Sequence, residues 1–500
     1  YMNMYWVFLS VLPLSVFCLL LLFKKISLLK VSLITLLITL ILVLFFWQMS
    51  PLFVFQLSLK GFLVAFDIFL IIFGAILFLN ILKKGNVLSS LTFFLEKISP
   101  DFRIQIIILA WFFENFLEGI AGFGTPSTVV APILVALGLS PMTSAVVALL
   151  GNSTASPFGA VGTPIKVGFA GINVNLISIS TTTALINFIG ILVPVFMLYF
   201  LVFKKPNKKQ LFFEALPFAI WAGIAFVVPS FLVSIFGFEF PSIIGSIIGL
   251  ILVLITNHFK IFVPKNVIKA DIPSTSEKSL SLFKTISPYF LFILLLVFGK
   301  ILLSNLYLPI NFINYKLNLF NPGFIFIITS FIVILFLSTT KKQFFDSTEN
   351  AFKKSIEPFF VIALISAVVQ LMNNSHINPL NLASITQTIA LVFSVSILPF
   401  LAPFIGAFGS LITGSATISA MMFGSSLYSS SISLGLNPVI VLSLSMAGAG
   451  AGNMIAIADV FTAMTVVGIT QDIRKVISKL LPFCLIYVSL IGILGLMLTR

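Results

Sequence analysis

Glu118-Gly119-Ile120-Ala121-Gly122-Phe123-Gly124-Thr125-Pro126-Ser127-Thr128 closes an apolar run that opens at Ile104. An apolar run of this kind can enter a bilayer core as a helix. It then meets Gly119, Gly122, Gly124 and Pro126, which no helix carries through unbroken. Broken backbone at membrane depth is tolerated only where protein or a polar cavity satisfies its N–H and C=O groups. Two stretches, 122–176 and 413–470, keep this mixture of apolar residues with Gly, Ser, Thr, Asn and Pro. Discontinuous helices and re-entrant hairpins have that composition.

The rest of the chain agrees. Of 500 residues, 59% are hydrophobic and 8% charged, against about 25% charged in soluble domains. Mean hydropathy is +1.20. Apolar spans read at 5–23, 31–47, 61–82, 104–121, 177–203, 211–236, 240–257, 287–303, 322–338, 356–372, 390–412 and 479–498. With the broken stretches added, the sequence predicts an all-α polytopic membrane protein of about 12–14 transmembrane helices. This composition excludes a secreted disulfide scaffold, a nucleic-acid-binding domain and a cytosolic enzyme. No basic residue precedes the run 5–23, so it reads as a retained first span rather than a cleaved signal. The start at Tyr1-Met2 reads as trimmed or unusual.

The net charge of +14 is a topology signal. Its lysines and arginines gather between spans, at Lys24/Lys25/Lys30, Lys83 to Arg103, Lys204 to Lys209, Lys260 to Lys284, Lys341 to Lys354 and Arg474 to Lys479. Placing these clusters in the cytoplasm puts both termini outside. The polar segment 258–286, with Asp271, Pro273 and Glu277, reads as a cytoplasmic linker between a half at 1–257 and a half at 287–500. Leu137-Gly138-Leu139-Ser140-Pro141 is echoed by Leu434-Gly435-Leu436-Asn437-Pro438, and Gly151-Asn152 by Gly452-Asn453. The spans leading into Gly122 and Gly414 start from opposite sides of the membrane, which predicts two inverted repeats carrying motif regions at 104–176 and 403–470.

Cys18 and Cys484 lie in apolar runs and read as buried thiols. His258 and His376 have no metal-site spacing, and no phosphate-cradling Gly-Lys-Ser/Thr loop is present. Metal, cofactor and enzymatic chemistry are therefore not expected; a secondary transporter or a channel is. The ionisable residues of the apolar and motif stretches are Asp67, Glu114, Glu118, Lys166, Glu239, Glu357 and Asp459. A charge at the bilayer centre costs at least about 2.5–3.5 kcal/mol, so each is a site candidate. Glu114 and Glu118 share one helix face. Glu118 directly precedes the break, and Asp459 is its counterpart after Asn453. These three are the candidate proton carriers. Each has a plainer alternative: Glu114 reaching the interface, Glu118 and Asp459 as structural groups, Lys166 as a loop topology charge.

Half-helix N-termini offer unpaired amides and partial positive charge. Gly122, Gly124, Thr125, Ser127, Asn152, Ser153, Thr154 and Lys166 from the first region are candidate binding residues for a small anion. Thr413, Gly414, Ser415, Thr417 and Asn453 are those from the second. On these residues alone, any small anion suits the site.

The run Glu118 to Pro126 resembles the signature of bacterial lactate permeases. Phe158-Gly159-Ala160-Val161-Gly162-Thr163-Pro164-Ile165 is similar to the family's second motif, Pro403 to Gly424 to its third, and Gly448 to Ile455 to its fourth. The chain departs from the family pattern at Ala416, where a polar residue is usual. The resemblance implies a multi-pass plasma-membrane transporter of L-lactate, and of 2-hydroxy acids such as glycolate, in symport with H⁺. A sodium-coupled dicarboxylate carrier of similar build is the alternative.

Overall fold

In the computed structural model the described residues are 4–22, 26–96, 98–122, 124–203, 205–268, 280–313, 315–337, 340–469 and 473–499. They are almost entirely helical, with one two-stranded hairpin, Tyr307–Ile310 against Tyr315–Asn318. Nine of their helices are long and apolar enough to cross a membrane, or up to eleven if each of two bent pairs is one span. Three shorter apolar helices, Met4–Leu20, Thr125–Ala136 and Pro322–Phe336, fall below that length. The protein is thus an all-α multi-pass membrane protein. Asp271, Pro273 and Glu277 of the expected linker lie outside the described residues, as do Lys24, Lys25, Lys97 and Lys204.

By contact the chain forms two compact units, and each draws on both sequence halves. One is Tyr1–Leu91 with Lys278–Val395; the other is Thr92–Glu277 with Ser396–Arg500. The first unit is built on the 34-residue helices Pro51–Lys84 and Lys341–Asn374. Each is about 50 Å long at 1.5 Å per residue, well beyond a bilayer core of about 30 Å. Their charged ends meet, with Lys84 Nζ donating to the Gln343 carbonyl at 3.1 Å and lying 3.7 Å from Asp346. Gly61 lets the two backbones touch: a Cβ there would lie 2.5 Å from the Ala367 nitrogen. Asp67 is buried in mid-helix, where Asn321 Nδ2 donates to its carboxylate at 2.6 Å.

The second unit holds both motif regions. Phe102–Ile120 is one rod with a π-helical segment, Ile108–Phe113, in its middle. After a break it enters a hairpin, Thr125–Ala136 and Pro141–Gly151, and then a second break. Leu398–Thr413 likewise breaks at Gly414-Ser415 into a hairpin, Ala416–Ser433 and Pro438–Asn453, which breaks again before Ile457–Val466. The same succession of break, helix, Pro-initiated helix and break occurs twice. Gly448 and Gly452, one turn apart, face Pro403 and Ala407, so Pro438–Asn453 packs backbone to backbone on Leu398–Thr413.

Arg103, 1% exposed, anchors the start of the rod. Its guanidinium grips Asp101 through two bonds, at 3.0 and 2.8 Å, and donates to the carbonyls of Leu211 and Asn266 at 2.7 and 2.8 Å. Ile268 N donates to Asp101 at 3.2 Å, so the described start of the linker is tied down beside the rod.

Candidate functional site

The two breaks that end the hairpins are made of backbone that ordinary helices would satisfy internally. Side chains do it here. Asn187 Nδ2 donates to the Thr154 carbonyl at 2.8 Å, and Ser242 Oγ to the Ala155 carbonyl at 2.9 Å. Thr154 and Tyr487 share a hydroxyl hydrogen bond of 3.1 Å. Beyond Phe158 the chain turns left-handed, with φ of 41° at Ala160, 56° at Val161 and 73° at Gly162. Non-glycine residues in this region store strain of order 1–3 kcal/mol each and cluster at functional sites. The pair Pro141–Gly151 and Ser156–Gly168 is bent by 61° across the break.

The two motif regions meet around a small cavity. The first region supplies Glu118, Gly122, Ser156, Gly159, Ala160 and Pro164; the second supplies Gly414, Ser415, Ala416, Thr417 and Asn453. The N-terminus of the 18-residue helix Ala416–Ser433 opens on it. Ser415 Oγ takes the Ile418 N–H at 3.3 Å, and the amides of Ala416 and Thr417 have no partner among the described residues. Two free amides at a helix N-terminus favour an anion. Asn453 Nδ2 donates to Ser156 Oγ, joining the regions directly.

Glu118, 2% exposed, is the ionisable group of the lining. Its carboxyl lies where Gly159 and Gly122 leave room: a Cβ on Gly159 would collide with Oε1, and one on Gly122 would lie 3.5 Å from it. Among the described residues Glu118 Oε2 has no hydrogen-bond partner, and neither does either carboxyl oxygen of Glu114. Glu114 is fully buried one turn away, against Gly151, and does not line the cavity. Asp459 sits behind the cavity in the first turn of Ile457–Val466. It receives a hydrogen bond from Asn152 Nδ2 at 3.4 Å, and Gly124, which starts Thr125–Ala136, faces it. Asp459 thus lies in the first turn of one helix, beside the start of another, and takes one amide hydrogen bond.

The structure therefore sorts the residues expected from the sequence. Glu118, Gly122, Gly414, Ser415, Thr417 and Asn453 line one cavity. Glu114, Gly124, Thr125, Ser127, Asn152, Ser153, Thr154, Lys166, Thr413 and Asp459 do not. Several of these hydroxyls are used locally. Ser127 Oγ bonds the Gly124 carbonyl at 3.2 Å, Ser153 Oγ the Leu150 carbonyl at 2.7 Å, and Thr413 Oγ1 the Gly409 carbonyl at 2.8 Å. Ser156, Gly159, Ala160 and Pro164 line the cavity without having been expected to. Gly159, Ala160 and Pro164 fall in the run Phe158 to Ile165 that resembles the family's second motif, and Ser156 stands just before it. Among the described residues no cluster of His, Cys, Asp and Glu could hold a metal ion.

The profile of a family described as L-lactate permease matches residues 7–306 and 299–500. A Haemophilus influenzae relative is 30% identical over 479 residues, 85% of either chain. The L-lactate permease of Streptococcus iniae is 30% identical, covering 76% of this chain and 81% of its own. The L-lactate permease of Bacillus subtilis is 24% identical, covering 79% of each. Among solved structures, the Alcanivorax borkumensis YdaH transporter aligns over 86% of this chain and 84% of its own, at 11% identity and a TM-score of 0.43.

Proposed function

The chain belongs to the L-lactate permease family, and we propose that it carries L-lactate, and related 2-hydroxy acids such as glycolate, across the cell membrane in symport with a proton. The observation that carries the reading is a buried carboxyl with an unpartnered oxygen, Glu118, in one small cavity with the free amides at the start of Ala416–Ser433. The amides of Ala416 and Thr417 take the substrate carboxylate. Ser156 and Asn453 meet its hydroxyl. Glu118 carries the proton: an unpaired carboxyl shut away from water is held at least cost as the neutral acid. One carboxylate and one proton then cross with no net charge, which removes the main barrier to movement through lipid.

Strained backbone at Ala160 and Val161 and the bent pair around it supply the element that moves. Two packings of such a break can expose the cavity to either side in turn.

The test is uptake of labelled L-lactate into proteoliposomes under an imposed pH gradient, with and without Na⁺. The reading expects accumulation driven by the pH gradient and indifferent to Na⁺. Uptake that follows Na⁺ and ignores the pH gradient would overturn the proton assignment, and dicarboxylate uptake without lactate uptake would overturn the substrate.

A further inference from the structure

We propose that the groove between the end of helix Leu176–Val202 and the start of helix Lys208–Ser234 binds an anionic phospholipid of the cytoplasmic leaflet. The groove has a volume of about 200 Å³ and is wider than the central cavity. Its walls are the rings of Tyr199, Phe203, Phe212 and Phe213, and its rim carries Lys208 and Lys209. Lys208 Nζ stands 5.3 Å from the centroid of the Phe203 ring, so the ammonium is held over the groove. Tyr199, Phe203 and Phe213 are 40%, 44% and 66% exposed. Among the described residues neither lysine makes an ion pair.

The chemistry selects one occupant. Aromatic walls at the end of two membrane spans fit an acyl chain, and Tyr and Phe at that depth sit at headgroup level. Two unpaired ammonium groups fit a phosphate. A soluble phosphate would leave the rings bare, and a zwitterionic lipid would bring a cation of its own beside the two ammonium groups. The lysines belong to a basic cluster between spans, which places them on the cytoplasmic side, where the leaflet surface is negative. The outer face of Leu176–Val202 continues into ring contacts with Phe483, at 4.9 Å from Phe196 and 5.7 Å from Tyr199. A chain seated there lies along the unit that holds the transport cavity, remote in sequence from its lining.

The experiment is native mass spectrometry of the full-length protein in detergent with added phosphatidylglycerol or phosphatidylcholine of the same chains. A parallel arm adds glycerol 1-phosphate. Wild type is expected to retain phosphatidylglycerol over phosphatidylcholine by about thirtyfold, from about 1 kcal/mol for each of the two lysines. Lys208→Gln with Lys209→Gln should remove the preference, Lys208→Arg with Lys209→Arg should keep it, and Lys341→Gln with Lys342→Gln, exposed elsewhere, should leave it unchanged. Equal retention of the two lipids by wild type would overturn the proposal. So would equal losses from both Gln pairs, which would mean a diffuse charge effect, or displacement of the lipid by glycerol 1-phosphate, which would mean a soluble-phosphate site.

Discussion

Asn453 and Ser156, far apart in the chain, share a buried hydrogen bond that joins the two motif regions at the wall of the cavity. Among the described residues Asn453 Oδ1 has no partner. A buried amide with one spare acceptor can take the hydroxyl of a 2-hydroxy acid as donor. Asn453→Ala is therefore expected to raise the KM for lactate by about tenfold, the size of one good hydrogen bond to a charged or desolvated partner. Ser156→Ala should do less. The double variant should be no worse than Asn453→Ala, because both changes break one contact. Initial uptake rates against lactate concentration decide it.

Glu118→Gln keeps the size and removes the titrating proton. In wild-type vesicles, a gradient of about one pH unit should accumulate lactate about tenfold at balance. The variant should reach equal concentrations on the two sides, while exchange of internal for external lactate persists. Proton-driven accumulation at the wild-type level in Glu118→Gln would remove Glu118 from the role.

Gly159→Ala tests the cavity by volume alone. Gly159 has φ of −62°, so alanine meets no backbone strain there, yet its methyl would collide with Glu118 Oε1. Uptake should be abolished with a Tm lowered by only a few degrees, a cost of about 1–3 kcal/mol for overpacking. Gly435→Ala serves as control for a turn glycine, since nothing lies within 4 Å of a Cβ there. It should transport normally while losing stability of about 1 kcal/mol from its φ of +68°.

Arg103→Ala leaves Asp101 buried without its cation. The expected loss of stability is about 3–5 kcal/mol, read as a lowered Tm in detergent. Adding Asp101→Asn should recover part of it, because the stranded charge goes with its partner.

Much of this was readable in the residues. Glu118 stood out because an acid before a glycine break inside an apolar run has few structural uses. Gly414, Ser415 and Thr417 stood out as a break and a helix cap. Ser156 did not, and the motif run holding Gly159 and Ala160 gave no sign of the left-handed turn at Ala160 and Val161 that brings them to the cavity, because these residue types do not favour it. Asn187 and Ser242 were two among several polar residues in their apolar spans; their use, satisfying the carbonyls of Thr154 and Ala155, exists only in three dimensions. The grouping into units was hidden for the same reason. It depends on helices from opposite halves meeting at close contacts such as Gly61 with Ala367. The strand pair Tyr307–Asn318 read only as the gap between two spans.

The π-helical segment Ile108–Phe113 sits two turns upstream of Glu118 in the same rod. Such a segment accommodates one residue more than ordinary winding allows. Removing that residue would swivel every side chain beyond it by about 100°. The compass bearing of the Glu118 carboxyl is set by how many residues precede it in the rod, so the gear that aims it lies outside the chamber it serves.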